Sequence, residues 1–259
     1  MPLLHKDGRQ IYWRTDGDPA KPKLMLLNSL GTEQGLWGPV MPRLLESFHV
    51  LRMDKRGHGG STNLVDTCSL ADLAGDALSV MDAAGWQRAS ICGVSIGGMQ
   101  AMWLGINAPD RVERLVLSNT SAAIPPAVFA GRIEQVQTLG LPAIADQILS
   151  RFYTAGFIAA GNPVYHSTRE NLLQVDPVGY IACCAAIRDM ELGSDLGRIK
   201  APCLVIIGDE DQSTPAAMGE HIAAEIADCE VARMPFAHIP LSEVPESYVR
   251  IVTEFLQKK

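Results

Sequence analysis

Six short runs along the chain are hydrophobic at almost every position: KLMLLNS (23–29), HVLRMD (49–54), ASICGVS (89–95), RLVLSNT (114–120), CLVIIGD (203–209) and EVARMPF (230–236). A strand with one wet face alternates apolar and polar residues, so unbroken apolarity predicts parallel strands covered on both faces. Between the runs lie stretches with helical patterning, at 69–85, 97–108, 215–228 and 245–256. Ser69 followed by Asp72 reads as a capping box, and Pro215 and Pro245 suit helix starts, where the absent N–H has no partner to lose. Strands and helices in alternation predict the α/β class, with a doubly wound, mostly parallel sheet.

Residues 122–194 break this rhythm. From AAIPPAVFAGRIEQV to CCAAIRDMELG the stretch holds helical patterns and no strand-like run. The expected organisation is a core of 1–121 and 195–259, with 122–194 inserted before the last two strands. Such an insertion is expected to form a helical cap over the strands' carboxyl ends, where α/β proteins place their sites.

The 259 residues, 47% hydrophobic and 20% charged, suffice for one sizeable core plus an insertion. A net charge of −7 without a Lys/Arg cluster argues against a nucleic-acid or acidic-membrane partner. The longest apolar runs are too short to span a bilayer, and MPLLHKDGRQ lacks the pattern of a secretory signal, so a cytoplasmic location is expected. Six cysteines, at 68, 92, 183, 184, 203 and 229, show no zinc-type spacing and read as reduced thiols. No metal or organic cofactor is expected, and the oligomeric state is left open.

CGVSIGGM (92–99) joins a strand-like run to a helix-like one and places Gly93-x-Ser95-x-Gly97 at the junction. In that context the pattern is a nucleophile elbow, a turn so tight that the serine is strained and a Cβ two residues away on either side would clash. The strain lifts the Ser95 hydroxyl above the sheet and brings the Ile96 amide, at the helix N-terminus, toward any oxygen bound nearby. A serine used this way needs a base and an orienting acid, in the chain order Ser, Asp or Glu, His. CLVIIG ends in GDEDQSTP, so Asp209, Glu210 and Asp211 all qualify; Asp211 is preferred because it stands at the loop's reach, just before the Thr214-Pro215 turn. The base expected after the last strand is His238 in MPFAHIPLSE. His5 precedes the fold, His49 lies in a strand, His166 in the cap and His221 in a helix, while His58 in DKRGHGGS is placed to shape a loop near the site. A second oxyanion donor is expected from the loop NSLGTEQGLW, at the Leu30 amide.

The chain at this point resembles the α/β-hydrolase superfamily and, within it, the 3-oxoadipate enol-lactonases. The likeness is carried by NSLGT with Trp37 downstream, RGHG at 56–59, CGVSIGGM, APDRVERLVLSNT at 109–120, GYIACCAAIRDMEL at 179–192, GDEDQSTP and AHIPLSE. NSLGT is the most telling, since most superfamily members carry His-Gly there. Two positions depart: the elbow reads GVSIGG where those enzymes read GLSMGG, and 151–154 read Arg-Phe-Tyr-Thr where they read Arg-Trp-Phe-Thr, so Phe152 remakes a pocket wall. The resemblance implies a small-molecule partner, a carboxylated enol-lactone opened through an acyl-enzyme on Ser95. It also marks Trp37 and Phe152 as substrate contacts. A free substrate carboxylate calls for a cation, and Arg132, Arg151 and Arg188 are the cap candidates. A broad-specificity carboxylesterase using the same residues and a slow-turnover ligand-binding protein on the same fold are the alternatives.

Overall fold

The computed structural model describes residues 2–258, and among these eight strands form one sheet. They are β1 (Leu3–Lys6), β2 (Arg9–Asp16), β3 (Lys23–Leu27), β4 (His49–Met53), β5 (Ala89–Val94), β6 (Val112–Ser118), β7 (Cys203–Gly208) and β8 (Cys229–Met234). Their spatial order is β1-β2-β4-β3-β5-β6-β7-β8. The six strands from β4 to β8 in that order run parallel, as the apolar runs predict, while β1 and β2 add an antiparallel edge.

The hairpin of β1 and β2 is absent from the expectations above, and His5 lies inside it, paired with Gln10, rather than ahead of the fold. Its signal is the dipeptide Asp7-Gly8: both residues have positive φ, 51° and 76°, as a two-residue hairpin turn requires. The last strand also differs from its reading. β8 is exposed or half-buried along most of its length because it is the sheet edge, with a neighbour on one side only.

α1 (Met41–Ser47) precedes β4, α2 (Leu70–Ala83) precedes β5, and α3 (Ile96–Asn107) follows it. The Ser69 side chain and Asp72 satisfy each other's backbone amides at the start of α2, the expected capping box. α4 (Pro126–Leu139), α5 (Leu141–Phe152), α6 (Ala155–Ala159), α7 (Pro163–Leu173) and α8 (Pro177–Arg188) follow one another between β6 and β7. Here α4 packs on α8 and α5 on α7. The group is tied to the rest of the chain by Glu243, which accepts from the Thr154 amide at 2.9 Å and the Thr154 hydroxyl at 2.8 Å. α9 (Ala216–Glu225) separates β7 from β8, and α10 (Pro240–Glu243) and α11 (Pro245–Leu256) close the chain.

The order of strands reverses at β3, which has β4 on one side and β5 on the other. The chain leaves the carboxyl ends of β3 and β5 in opposite directions there, which opens a crevice between their loops. The loop after β3 is NSLGT and the turn after β5 holds Ser95.

Candidate active site

Ser95 has φ 58° and ψ −121°, a region that residues with a Cβ rarely occupy and that typically costs about 1–3 kcal/mol. Surrounding bonds hold it there: its amide donates to Ser118 O at 3.0 Å, and its carbonyl accepts from the Thr120 hydroxyl at 2.7 Å. The flanking glycines are required by close approach. A Cβ on Gly93 would overlap the Gly97 carbonyl, and one on Gly97 would lie 2.5 Å from the carbonyl carbon of Leu27. Both obstacles are backbone and cannot rotate away. Gly97→Ala is therefore expected to destabilise the fold by about 3 kcal/mol; urea unfolding followed by circular dichroism measures it, and a loss below about 1 kcal/mol would contradict the close-packed elbow.

His238, which follows β8, is buried, and its Nδ1 donates to Asp211 Oδ2 at 2.8 Å. Asp211 is itself buried and accepts four further bonds: from the Ser213 amide at 2.7 Å, the Thr214 amide at 3.0 Å, the Thr214 hydroxyl at 2.7 Å and Asn119 Nδ2 at 3.1 Å. Burial alone pushes this carboxyl up. The His238 imidazole and the Thr214 donors outweigh that and hold it below the ordinary aspartate range, so it stays ionised. Asn119, which the sequence reading missed, also donates to Ala237 O at 3.0 Å and so ties the acid's loop to the base's loop. Its positive φ of 47° at the end of β6 is a conformation that asparagine tolerates better than most residues.

Asp209 and Glu210 fall outside this network. Asp209 is an exposed partner of Arg233 at 2.6 Å, and Glu210 is exposed on the same turn. Among the three acids, only Asp211 reaches the imidazole.

One cavity is lined by Ser95, His238, Leu30, Phe152, Arg132 and Arg151. Between these, Ile124, Val128, Phe129, Ile148 and Ile187 make an apolar wall. The Phe152 ring lies against the His238 imidazole, centroids 5.4 Å apart, and its carbonyl accepts from the Ile239 amide at 3.1 Å. Arg132 touches the Tyr180 hydroxyl at 3.2 Å, and among the described residues neither Arg132 nor Arg151 has a carboxylate partner. Ile96 contributes no lining side chain; it is the first residue of α3, and its amide is one of the helix's unpaired N-terminal donors.

Two expected substrate contacts lie elsewhere. Arg188 points to the surface, where Asp189 pairs with it at 2.6 Å. Trp37 is 0% exposed, and its indole donates to Asn28 Oδ1 at 2.7 Å, while Asn28 Nδ2 donates to Met53 O at 2.9 Å. The tryptophan thus braces the NSLGT loop from behind instead of facing the cavity. A polar loop leaving a buried strand needs internal hydrogen-bond partners, and Trp37 supplies one.

The loop is braced again from 54–60. His58 is buried and kept neutral, because burial and the nearby Lys55 charge push its imidazole well below the ordinary value. Its Nδ1 donates to Arg56 O at 2.8 Å and its Nε2 accepts from the Gly31 amide at 3.0 Å. Arg56 is anchored in turn by the buried Asp76 at 2.6 Å, which Arg9 of β2 also contacts at 3.0 Å. Cys92, in β5, is an inert thiol: burial pushes it up to about 12. No group of three His, Cys, Asp or Glu residues is placed to hold a metal ion among the described residues, and no helix there is long and apolar enough to cross a membrane.

A strained hydroxyl, an imidazole oriented by an ionised carboxylate, and backbone amides at a helix start form a set competent for nucleophilic acyl transfer. Comparison with known proteins places the set in context. The family model described as alpha/beta hydrolase fold matches residues 22–162. The chain is 30% identical to 3-oxoadipate enol-lactonase 2 of Acinetobacter baylyi, over 100% of this chain and 99% of the relative. Its structure superimposes on the enol-lactonase from Burkholderia xenovorans with a TM-score of 0.97 at 33% identity, covering 99% of this chain and 100% of the other. A hydrolase from Pseudomonas aeruginosa is 37% identical with a TM-score of 0.96, covering 99% and 98%. By its sequence, its sheet and its elbow, the chain belongs to the α/β-hydrolase family.

Proposed function

We propose that this hydrolase opens a carboxylated enol-lactone, converting 3-oxoadipate enol-lactone to 3-oxoadipate in the cytoplasmic catabolism of aromatic acids. The observation that carries the reading is the pair of arginines, Arg132 and Arg151, that lines the same cavity as Ser95 and His238 and that no carboxylate among the described residues neutralises. Cations facing an otherwise apolar wall favour a small anionic substrate. The names of the relatives above point to the same chemistry.

In the proposed reaction the lactone carbonyl lies over Ser95 and its carboxylate faces the two arginines. His238 has Nδ1 committed to Asp211, which leaves Nε2 to take the Ser95 proton as the hydroxyl attacks. The tetrahedral oxyanion is bound by the amides of Leu30 and Ile96, donors of a kind worth about 3–4 kcal/mol each. As the ring C–O bond breaks, the leaving enolate collects the proton from His238 and tautomerises to a ketone. Water then gives a proton to the same imidazole as it attacks the acyl carbon. The bond from that carbon to Ser95 Oγ breaks, the imidazolium returns the proton to Oγ, and the second carboxylate is released. The helices between β6 and β7 act here as a cap: Phe152 covers one side of His238 and limits water.

The test is kcat/KM on 3-oxoadipate enol-lactone and on p-nitrophenyl acetate, with Ser95→Ala as the blank. A charge-assisted bond of about 1.5–3 kcal/mol corresponds to about 10- to 150-fold. Arg132→Met and Arg151→Met are accordingly expected to raise KM for the lactone by that order and to leave the neutral ester nearly untouched. Equal effects on both substrates would remove the arginines from carboxylate binding. A wild type that prefers the neutral ester would replace the lactonase reading by that of a general carboxylesterase, and tight lactone binding with negligible turnover by that of a binding protein.

A further inference from the structure

Lys55 is a buried lysine that forms no ion pair among the described residues. It follows β4 and is 4% exposed. Its ammonium donates instead to two backbone carbonyls of the NSLGT loop, Ser29 O at 2.6 Å and Thr32 O at 3.1 Å. Burying a lone ammonium is costly, so its target matters. The Ser29 carbonyl belongs to the same planar, trans peptide unit as the Leu30 N–H, and the two dipoles point in opposite directions. A cation fixed on that oxygen fixes the direction of that N–H. It also draws electron density toward the carbonyl and makes the N–H a stronger donor.

We infer that Lys55 is a positioning residue for the oxyanion site, aiming and polarising the Ser29–Leu30 peptide so that the Leu30 N–H meets the developing negative charge. The inference rests on the proposed role of Leu30 above. His58 holds the next amide, Gly31, so Lys55 and His58 grip consecutive peptides from one turn.

The charge on Lys55 is then needed in the reacting enzyme. The titratable groups around it are Asp54 beside it, Glu33 on the oxyanion-loop side, His58 on its own turn and Cys183 of α8. Burial pulls the ammonium down more than Cys183, Asp54 and Glu33 raise it, to about 8. Activity is thus expected to fall as pH rises through about 8. Stability moves the other way: a base whose folded pKa is depressed penalises the fold at neutral pH, and the penalty fades between about 8 and the ordinary 10.5. An alkaline loss of activity from Lys55 therefore is not the onset of unfolding.

The experiment is p-nitrophenyl acetate hydrolysis by wild type, Lys55→Met and Lys21→Met across pH about 6 to 9.5, subtracting the Ser95→Ala rate and following Tm in parallel. Lys21 is the control, because it also donates to two carbonyls, Leu45 O at 2.8 Å and Glu46 O at 2.9 Å, away from the cavity. Lys55→Met is expected to lower kcat by roughly 10- to 100-fold, less than outright loss of an oxyanion donor, with KM within about twofold. The alkaline decline should vanish in this variant and persist in Lys21→Met, whose kcat should match wild type. A Lys55→Met enzyme with wild-type kcat, or with the alkaline decline intact, overturns the inference while leaving the hydrolase reading in place. If Lys55→Met does not fold, the wild-type profile decides: a kcat level from about 8 to 9.5 overturns the inference, and a decline at constant or rising Tm supports it. A wild type without Ser95-dependent turnover overturns both.

Discussion

Alanine at position 95 is expected to reduce kcat by about 10⁵- to 10⁶-fold while leaving Tm within a few degrees of wild type. The hydroxyl is the only group at the elbow able to form the acyl-enzyme, and its removal strands His238 and the oxyanion donors without a partner in the reaction. Alanine needs the same backbone conformation as serine, with φ 58° and ψ −121°, so the strain is neither relieved nor increased. Glycine at the same position separates the two aspects of the turn. Ser95→Gly should be equally inactive but more stable by about 1–3 kcal/mol, because glycine occupies that region without a Cβ clash. Thermal unfolding and steady-state kinetics on the same preparations measure both effects. Turnover in Ser95→Ala above about 1% of wild type would remove Ser95 as the nucleophile.

The second large effect is expected at Asp211. Asn in its place keeps the shape, yet it offers a single acceptor oxygen to a site where the two carboxylate oxygens accept five bonds. The amide NH₂ then faces donors, and His238 loses the acceptor that fixes its Nδ1–H. An exchange of this type costs about 10⁴-fold in kcat in comparable sites. Asp209→Asn should change kcat by less than about threefold, since it removes only an exposed ion pair with Arg233. The reverse ranking would reassign the acid. The two variants should also differ in acid. The carboxyl of Asp211 is depressed in the folded chain, so the stability it contributes is present above the ordinary aspartate pKa and is lost as pH falls through its lower folded value. Asp211→Asn should be less stable at neutral pH and should lose part of wild type's acid sensitivity, which denaturant titrations at neutral and acid pH would show.

Much of the fold could be read from the apolar pattern because parallel strands β3 to β7 are covered on both faces, which leaves a continuous hydrophobic signature. The reading weakened where that condition fails. β1 is short and β2 alternates buried with partly exposed residues, and both are antiparallel, so they lack long apolar runs, and only Asp7-Gly8 marks their turn. β8 was legible as a strand and misjudged in burial, since nothing in EVARMPF says that no further strand lies beside it. The helix after β8's neighbour likewise ends at Glu225 rather than 228, where Ile226 returns to extended backbone.

Ser95, Asp211 and His238 were legible for a different reason. Each is tied to a local event in the chain, the end of a particular strand or the turn after it, and the order of those events follows from the way the sheet is wound. The backbone clash that demands Gly93 and Gly97 is local too, which is why the spacing alone announces the elbow. Cavity-lining residues have no such local mark. Arg132, Arg151 and Arg188 look alike along the chain; only helix packing turns the first two into the cavity and leaves the third beside Asp189. Trp37 reads as a pocket aromatic until its indole is found on Asn28, and Asn119 and Lys55 gain meaning only when β6, β4 and their loops converge. The sequence by itself determined the class of fold, the elbow and the chain order of the candidate nucleophile, acid and base, because backbone sterics and strand burial act on neighbours in the chain. The tertiary structure alone decided which side chains line the cavity and which brace the loops, because those depend on side-chain directions across elements far apart in sequence.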